Sequence, residues 1–179
     1  IYVLDSPILT NSQFKKFKKF FSKKTKIIDC TFDISLSLKD RIEAIREEAE
    51  TAVREGSTCL ILSDKNISNQ KASIPSILTV GAIHSHLVKH GLRGYCSLNV
   101  ECSDALDTHS FAVLIGVGAT TVNPYLAIDS IYQRFEKKLF GKNDFESCVV
   151  KFKKSIDAGL LKICLLYTSP SPLDATLSR

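Results

Sequence analysis

The residues best suited to acid and base chemistry in this sequence are two carboxylates, Asp64 and Glu101, each lying at the end of a short apolar run. Such a pair could act as general acid and general base if the fold brought the two side chains together. No serine or cysteine lies in a recognisable activating context, and no phosphate-binding loop is present. Solvated loop carboxylates are therefore the favoured interpretation, and we predict no catalytic residue.

Histidines suggest a metal site more directly, because three of them fall within one predicted helix. His84 and His86 are two positions apart and point to nearly opposite sides, whereas His86 and His90, at positions i and i+4, could bind one ion. The residues between this pair lack the glutamate of the zinc-hydrolase motif. We therefore expect no metal site.

The glycine pair Gly116-x-Gly118 resembles the start of a dinucleotide-binding loop. That loop follows a strand and opens a helix, whereas this pair follows a helix and precedes a strand, and Thr121 stands where the third glycine belongs. A helix end is the better interpretation, and we predict no cofactor-binding residue.

Composition limits the partners and the compartment. The formal charge of +5 comes from lysines clustered in two places rather than along a whole face, which argues against nucleic acid. No apolar run approaches the ~20 residues of a membrane span. The six cysteines show no paired CxxC spacing, and we predict buried free thiols in an intracellular, reducing compartment, the cytoplasm or a plastid or other organelle.

A first helix, capped by Thr10 or Asn11, is amphipathic. It carries Phe14, Phe17 and Phe21 on one side. We expect these aromatic rings to face the core and the lysines around them to be solvated, namely Lys15, Lys16, Lys18, Lys19 and Lys23.

The elements that must position the candidate residues repeat one unit, a helix, a glycine and then a strand. A strand over residues 26–32 precedes the repeats, and helices over residues 130–140 and 145–158 follow, the last closed by Gly159. Strands joined by helices pair in parallel, so the fold class is α/β with an open parallel sheet, resembling part of a barrel and incomplete because the chain is a fragment. The three units are residues 41–63 around Gly56, residues 75–101 around Gly91, and residues 107–123 around Gly118.

In a parallel sheet the carboxyl ends of the strands meet at one edge, where function usually gathers. Here that edge is polar, and two interpretations follow from it. It belongs either to a connecting domain or to a free-standing α/β enzyme acting on a small molecule. The candidate residues are Ser63, Asp64, Glu101, Ser103, Asn123 and Pro124.

Several motifs, in order along the chain, resemble the central domain of glutamate synthase. They are Asp5-Ser-Pro-Ile-Leu9, Cys30-Thr-Phe-Asp-Ile34, Leu62-Ser-Asp-Lys65, Ile74-Pro-Ser-Ile77, Val80-Gly-Ala-Ile-His84, residues 109–119, Val122-Asn-Pro-Tyr-Leu-Ala127 and Gly159-Leu-Leu-Lys-Ile163. The resemblance covers residues 1–163.

The resemblance implies a non-catalytic connector within a larger enzyme of glutamate biosynthesis and ammonia assimilation. Members of the family join a glutaminase domain to a synthase domain that holds FMN and an iron–sulfur cluster, with ferredoxin or NAD(P)H as the electron source. The central domain is expected to help enclose the ammonia tunnel between them. On this interpretation the six polar residues form an interface or tunnel edge, and the fragment alone has no cofactor and no activity.

The sequence departs from the family pattern after Ile163, where Cys164-Leu-Leu-Tyr167 replaces a segment resembling Met-Ser-Lys-Met-Gly. Residues 164–179 contain two Ser-Pro pairs and no helical or strand period. We expect them to be a non-native or read-through tail outside a domain of residues 1–163.

Overall fold

The computed structural model describes residues 3–168, with the backbone alone for residues 164–168. Six strands are present in this range: β1 Thr25–Asp29, β2 Thr31–Asp33, β3 Cys59–Ser63, β4 Lys71–Ser73, β5 Ser97–Glu101 and β6 Thr121–Asn123. The α-helices of the same range are α1 Asn11–Phe20, α2 Leu38–Arg54, α3 Ser76–Lys89, α4 Thr108–Gly116, α5 Tyr125–Glu136 and α6 Phe145–Thr168.

Four strands form an open parallel sheet in the order β1-β3-β5-β6. The extended segment before α1 adds to its edge, because Ile8 forms a parallel bridge with Val122. The predicted α/β class and parallel sheet are confirmed. Within residues 3–168 the sheet does not close into a barrel, and no helix has both the length and the apolar character needed to cross a membrane.

The three predicted helix–glycine–strand joints are confirmed by the backbone. Gly56, Gly91 and Gly118 each have positive φ, at 94°, 69° and 118°, and each lies between a helix and the strand that follows it. A residue with a side chain rarely adopts this conformation, so glycine ends the helix and turns the chain back toward the sheet. The Gly116-x-Gly118 pair is thus a helix end.

Helices cover both faces of the sheet, which explains why β3 is buried along its whole length. On one face α2, α3 and α4 form the main core, with residues such as Ile45, Ile83 and Phe111 fully buried. On the other face α1 presents Phe14 and Phe17 to Ile61 of β3. The aromatic stripe of α1 therefore faces the core, as predicted.

Three boundaries differ from the sequence prediction. The strand predicted over residues 26–32 is divided, and its second part, β2, pairs antiparallel with β4 in a separate ribbon that the pattern did not indicate. Helix α5 begins at Tyr125, directly after Pro124, rather than near Ser130. Helix α6 continues beyond Gly159 to Thr168.

Gly159 lies inside α6, where the absence of a side chain allows close packing against α4. A Cβ atom built at Gly159 would lie 2.5 Å from Cγ2 of Thr108 at the start of α4. The missing side chain lets the two helices approach each other, a use of glycine that local sequence cannot distinguish from a helix end. Most of the expected tail, residues 169–179, lies outside the described residues.

Candidate functional site

The carboxyl ends of the parallel strands bring three of the candidate residues side by side. Ser63 of β3 is in register with Glu101 of β5, and Glu101 is in register with Asn123 of β6. Asp64 continues β3 by one residue, and its backbone N–H donates to the carbonyl oxygen of Glu101 at 3.2 Å. We refer to this region as the carboxyl edge.

Glu101 is the most strongly held group of the carboxyl edge. It is only 3% exposed, and its two carboxylate oxygens lie 2.9 Å from Nζ of Lys18. Lys65 Nζ is also 2.9 Å from Oε1, and Ser63 donates to Oε2 at 2.8 Å. Burial by itself raises the pKa of Glu101, but hydrogen bonds from Lys18, Lys65 and Ser63 outweigh burial and hold the pKa below its ordinary value.

Asp64 is the second buried carboxylate, and serines surround it. Its Oδ2 accepts from the backbone N–H of Ser103 at 2.9 Å and from the Ser103 hydroxyl at 2.6 Å. Ser73 of β4 donates to the same oxygen at 3.2 Å, so Asp64 connects the antiparallel ribbon to the loop after β5. Burial, with the negative charge of Asp64, raises the pKa of Tyr125 well above its usual range.

Asn123 and Pro124 join the edge to the first segment of the chain. The Asn123 amide donates to the carbonyl oxygen of Leu9 at 2.9 Å and to Oδ1 of Asn11 at 3.0 Å. Pro124 occupies the N-cap position of α5. Both residues are buried, so they fix the path of the chain before α1 and after β6.

Five of the six candidate residues are thus buried inside this chain's own fold, with Ser103 half-buried. The prediction that Asp64 and Glu101 are solvated loop carboxylates is therefore wrong. Their hydrogen bonds hold loops together. Both oxygens of Glu101 and Oδ2 of Asp64 already contact lysine or serine groups, and Oδ1 of Asp64 is buried without a hydrogen-bond partner among the described residues. This arrangement does not favour a general acid and base pair. The free-standing enzyme is consequently the weaker of the two interpretations.

The cysteines of the same edge do not supply a nucleophile either. Cys30 and Cys102 are buried thiols, and burial raises the pKa of Cys30 to about 12 and also raises the pKa of Cys102. A thiol with such a pKa stays protonated at neutral pH, and only the thiolate attacks or binds metals. These two cysteines act as small apolar residues of the core.

Sequence reasoning missed the lysines that hold Glu101. Lys18 was predicted to be solvated, but it turns toward the sheet with its Nζ 4.8 Å from the ring centroid of Phe14. Lys65 lies over the ring of Tyr125 at 5.0 Å. Lys18 follows Phe14 by four positions on the helix face that carries the aromatic stripe, which is the signal that could have indicated its direction.

The segments that follow the strands expose apolar side chains outside this polar network. Large side chains at 47% to 66% exposure follow β2, β3 and β5, namely Ile34, Leu36, Ile67 and Leu106. Isolated exposed apolar residues are ordinary in monomeric proteins, and larger exposed apolar surfaces mark contact sites. The carboxyl edge therefore has a buried polar network, and the segments after β2, β3 and β5 carry exposed apolar side chains.

Comparison with known proteins agrees with the resemblance seen in the sequence. The family model described as "Glutamate synthase central domain" matches residues 1–165. The chain is 46% identical over 163 residues to the glutamate synthase [NADPH] large chain of Azospirillum brasilense, covering 89% of this chain and 11% of that protein.

Two further relatives show the same pattern. The glutamate synthase [NADPH] large chain of Bacillus subtilis is 39% identical over 166 residues, covering 89% of this chain and 10% of that protein. The ferredoxin-dependent glutamate synthase of Pyropia yezoensis is 36% identical over 175 residues, covering 89% and 11%. The chain thus spans about a tenth of the length of these relatives.

Proposed function

The chain belongs to the glutamate synthase central domain family, and we propose that it serves as the connector between the glutaminase and synthase domains of a larger enzyme. In that enzyme it helps to enclose the path by which ammonia passes from one active site to the other. The domain itself carries no catalytic residue. The observation that carries this proposal is the family match over residues 1–165.

The geometry of the carboxyl edge supports a positioning role. Glu101 and Asp64 are bonded by lysine and serine groups of the chain itself, and these contacts link α1, the ribbon and the loop after β5. A network of this kind makes the loops rigid, which a domain between two active sites needs if it is to hold them in a fixed relation.

The outer side of the same edge is the surface proposed to face a neighbouring domain or the ammonia path. Ser63, Asp64, Glu101, Ser103, Asn123 and Pro124 are its supporting residues. The exposed apolar side chains Ile34, Leu36, Ile67 and Leu106 would supply the contact area, since their burial against a partner domain is favourable.

The parent enzyme proposed here forms glutamate from 2-oxoglutarate with FMN and an iron–sulfur cluster. Its electron donor is either ferredoxin or a pyridine nucleotide, because relatives of both kinds, named for NADPH and for ferredoxin, contain this domain. The connector role is accordingly independent of the electron donor.

The proposal is tested by exchange of domains. In the Azospirillum brasilense large chain, the matching segment is replaced by residues 1–163 of this chain, and glutamate formation is measured with glutamine and, separately, with ammonium. We expect the chimera to form glutamate from glutamine, with about one glutamine hydrolysed for each glutamate formed through the synthase site.

Two outcomes would contradict the proposal. One is a folded chimera that hydrolyses glutamine but forms glutamate only from added ammonium, since ammonia would then not be conducted. The other is glutamine hydrolysis or FMN binding by the purified 179-residue chain, because the domain would then have its own active site.

A further inference from the structure

A cluster of metal-ligating side chains lies away from the carboxyl edge, where α2 packs against α3. It consists of Glu50, His86 and His90, whose ligand atoms all lie within 4.8 Å of one another. His86 Nε2 is 2.6 Å from Oε2 of Glu50, and His90 Nδ1 is 3.8 Å from the same oxygen. We refer to these residues as the Glu50–His86–His90 cluster.

Helix geometry explains why the three side chains converge. His86 and His90 are one turn apart on α3, and their ring centroids are 4.3 Å apart. Glu50 comes from α2, next to the fully buried Ala49. The third ligand that the sequence pattern lacked is thus supplied by another helix.

A neighbouring arginine fixes the direction of the Glu50 carboxylate. Arg54 donates from Nε to Oε1 of Glu50 at 2.8 Å, one turn along α2, which leaves Oε2 facing the histidines. Glu50 and His86 are partly buried, and His90 is the most exposed of the three at 34%.

From this arrangement we propose that the Glu50–His86–His90 cluster binds a divalent transition metal ion, with zinc as the favoured ion. Two imidazoles and one carboxylate suit zinc, which forms bonds of about 2.0–2.2 Å to nitrogen and oxygen. Magnesium and calcium prefer sites made of oxygen atoms only.

Metal binding requires both histidines to adjust their contacts. Bonds of about 2.1 Å in tetrahedral geometry place ligand atoms on the order of 3.4 Å apart. The 2.6 Å contact between His86 and Glu50 must therefore open slightly as the ion replaces the shared proton. Nδ1 of His90 must give up its 2.9 Å hydrogen bond to the carbonyl oxygen of His86, lose its proton and move closer to Glu50. The fourth position stays open for water.

The position of the cluster indicates a structural metal site that links α2 to α3. Glu50 lies near the end of α2, and His86 and His90 lie near the end of α3, just before these helices turn into β3 and β5. The cluster therefore lies toward the amino ends of the strands, opposite the carboxyl edge. A bound ion would join two helices, so this inference stands apart from the connector role.

The test is zinc binding by the tag-free 179-residue chain after removal of metals, measured by calorimetry and by thermal unfolding. We expect one zinc per chain and a rise in Tm of about 5 to 10 °C at a hundredfold excess over Kd. His90→Ala and Glu50→Gln should each raise Kd by at least the roughly 10- to 100-fold that loss of a supporting group causes.

His109→Ala is the matched control, because His109 is exposed on α4 and is not part of the cluster. Its zinc affinity should equal that of the original chain, and magnesium should not change Tm. The proposal is overturned if no saturable zinc binding occurs, or if His90→Ala binds zinc as tightly as the original chain. Substitution with cobalt gives a further readout, since a sulfur-to-metal charge-transfer band would place the ion on cysteines and not on this cluster.

Discussion

The two lysines that contact Glu101 permit a quantitative test of the carboxyl edge. Replacing Lys18 by alanine removes two contacts of 2.9 Å to a carboxylate that is 3% exposed. Hydrogen bonds to charged groups contribute on the order of 1.5–3 kcal/mol to the free energy of unfolding, so we expect a loss in that range. Lys65 is 48% exposed, and its replacement should cost only about 0.2–1 kcal/mol, as for a surface ion pair.

The double variant Lys18→Ala/Lys65→Ala should lose more than the sum of the two single losses. Each lysine can neutralise Glu101 when the other is absent, whereas removal of both leaves a buried carboxylate without a cation. Breaking a buried pair in this way costs roughly 3–5 kcal/mol. Urea denaturation of the four proteins at pH 7 gives the coupling energy, with Lys39→Ala on the exposed face of α2 as the control.

The pH dependence has a definite sign. The pKa of Glu101 is lower in the folded chain than in the unfolded chain, so the stability it contributes is present above its ordinary pKa and is lost as pH falls through the folded value. Without the lysines burial raises the pKa of Glu101, so the penalty of the double variant should begin to shrink above the ordinary glutamate pKa and continue to shrink as pH falls. Two results would refute a buried, ionised Glu101 that depends on these lysines. One is a coupling energy below about 0.5 kcal/mol, which means that the two losses are additive, and the other is a destabilisation that does not change with pH.

Three further outcomes are expected. Gly159→Ala should destabilise the chain although alanine favours helix, and adding Thr108→Ala should restore stability, because the added Cβ meets Thr108 at 2.5 Å; a Gly159→Ala variant of raised Tm would contradict this packing. Gly118→Ala should lower the free energy of unfolding by more than about 1 kcal/mol, because the added Cβ would overlap the ring of His84 on α3 and because φ is 118°. An unchanged midpoint of urea denaturation would refute this prediction. A thiol reagent at pH 8 should modify Cys148 in the native chain and Cys30 only after unfolding, as read by mass spectrometry, because burial raises the pKa of Cys30 to about 12; rapid native labelling of Cys30 would be inconsistent with its burial.

Much of the fold could be predicted because its signals are local. The helix–glycine–strand joints depend on glycines a few positions beyond each helix, and the aromatic stripe of α1 depends on a spacing of three and four residues. The antiparallel ribbon escaped prediction because it pairs segments that are far apart along the chain, Thr31 with Ser73, and local pattern does not show such pairing.

Only part of the candidate site could be predicted from the sequence, for a related reason. Polar residues at the strand ends could be placed together by the rule for parallel sheets, and the register bears this out. Whether these residues face solvent or the interior depends on the neighbouring helices. Lys18 of α1 and Lys65 of the loop after β3 both contact Glu101, and the position of Lys18 four residues after Phe14 is the local signal that pointed to this.

By itself, the sequence determined the α/β class, the repeated joints, the polar edge and the family. Each of these depends on short patterns of residues that are neighbours along the chain. Only the tertiary structure decided which distant side chains meet. Lys18 and Glu101 are 83 positions apart, and Glu50 and His86 are 36 apart. Such pairs form only when helices pack in one particular arrangement, since packing and not local spacing brings their atoms within bonding distance.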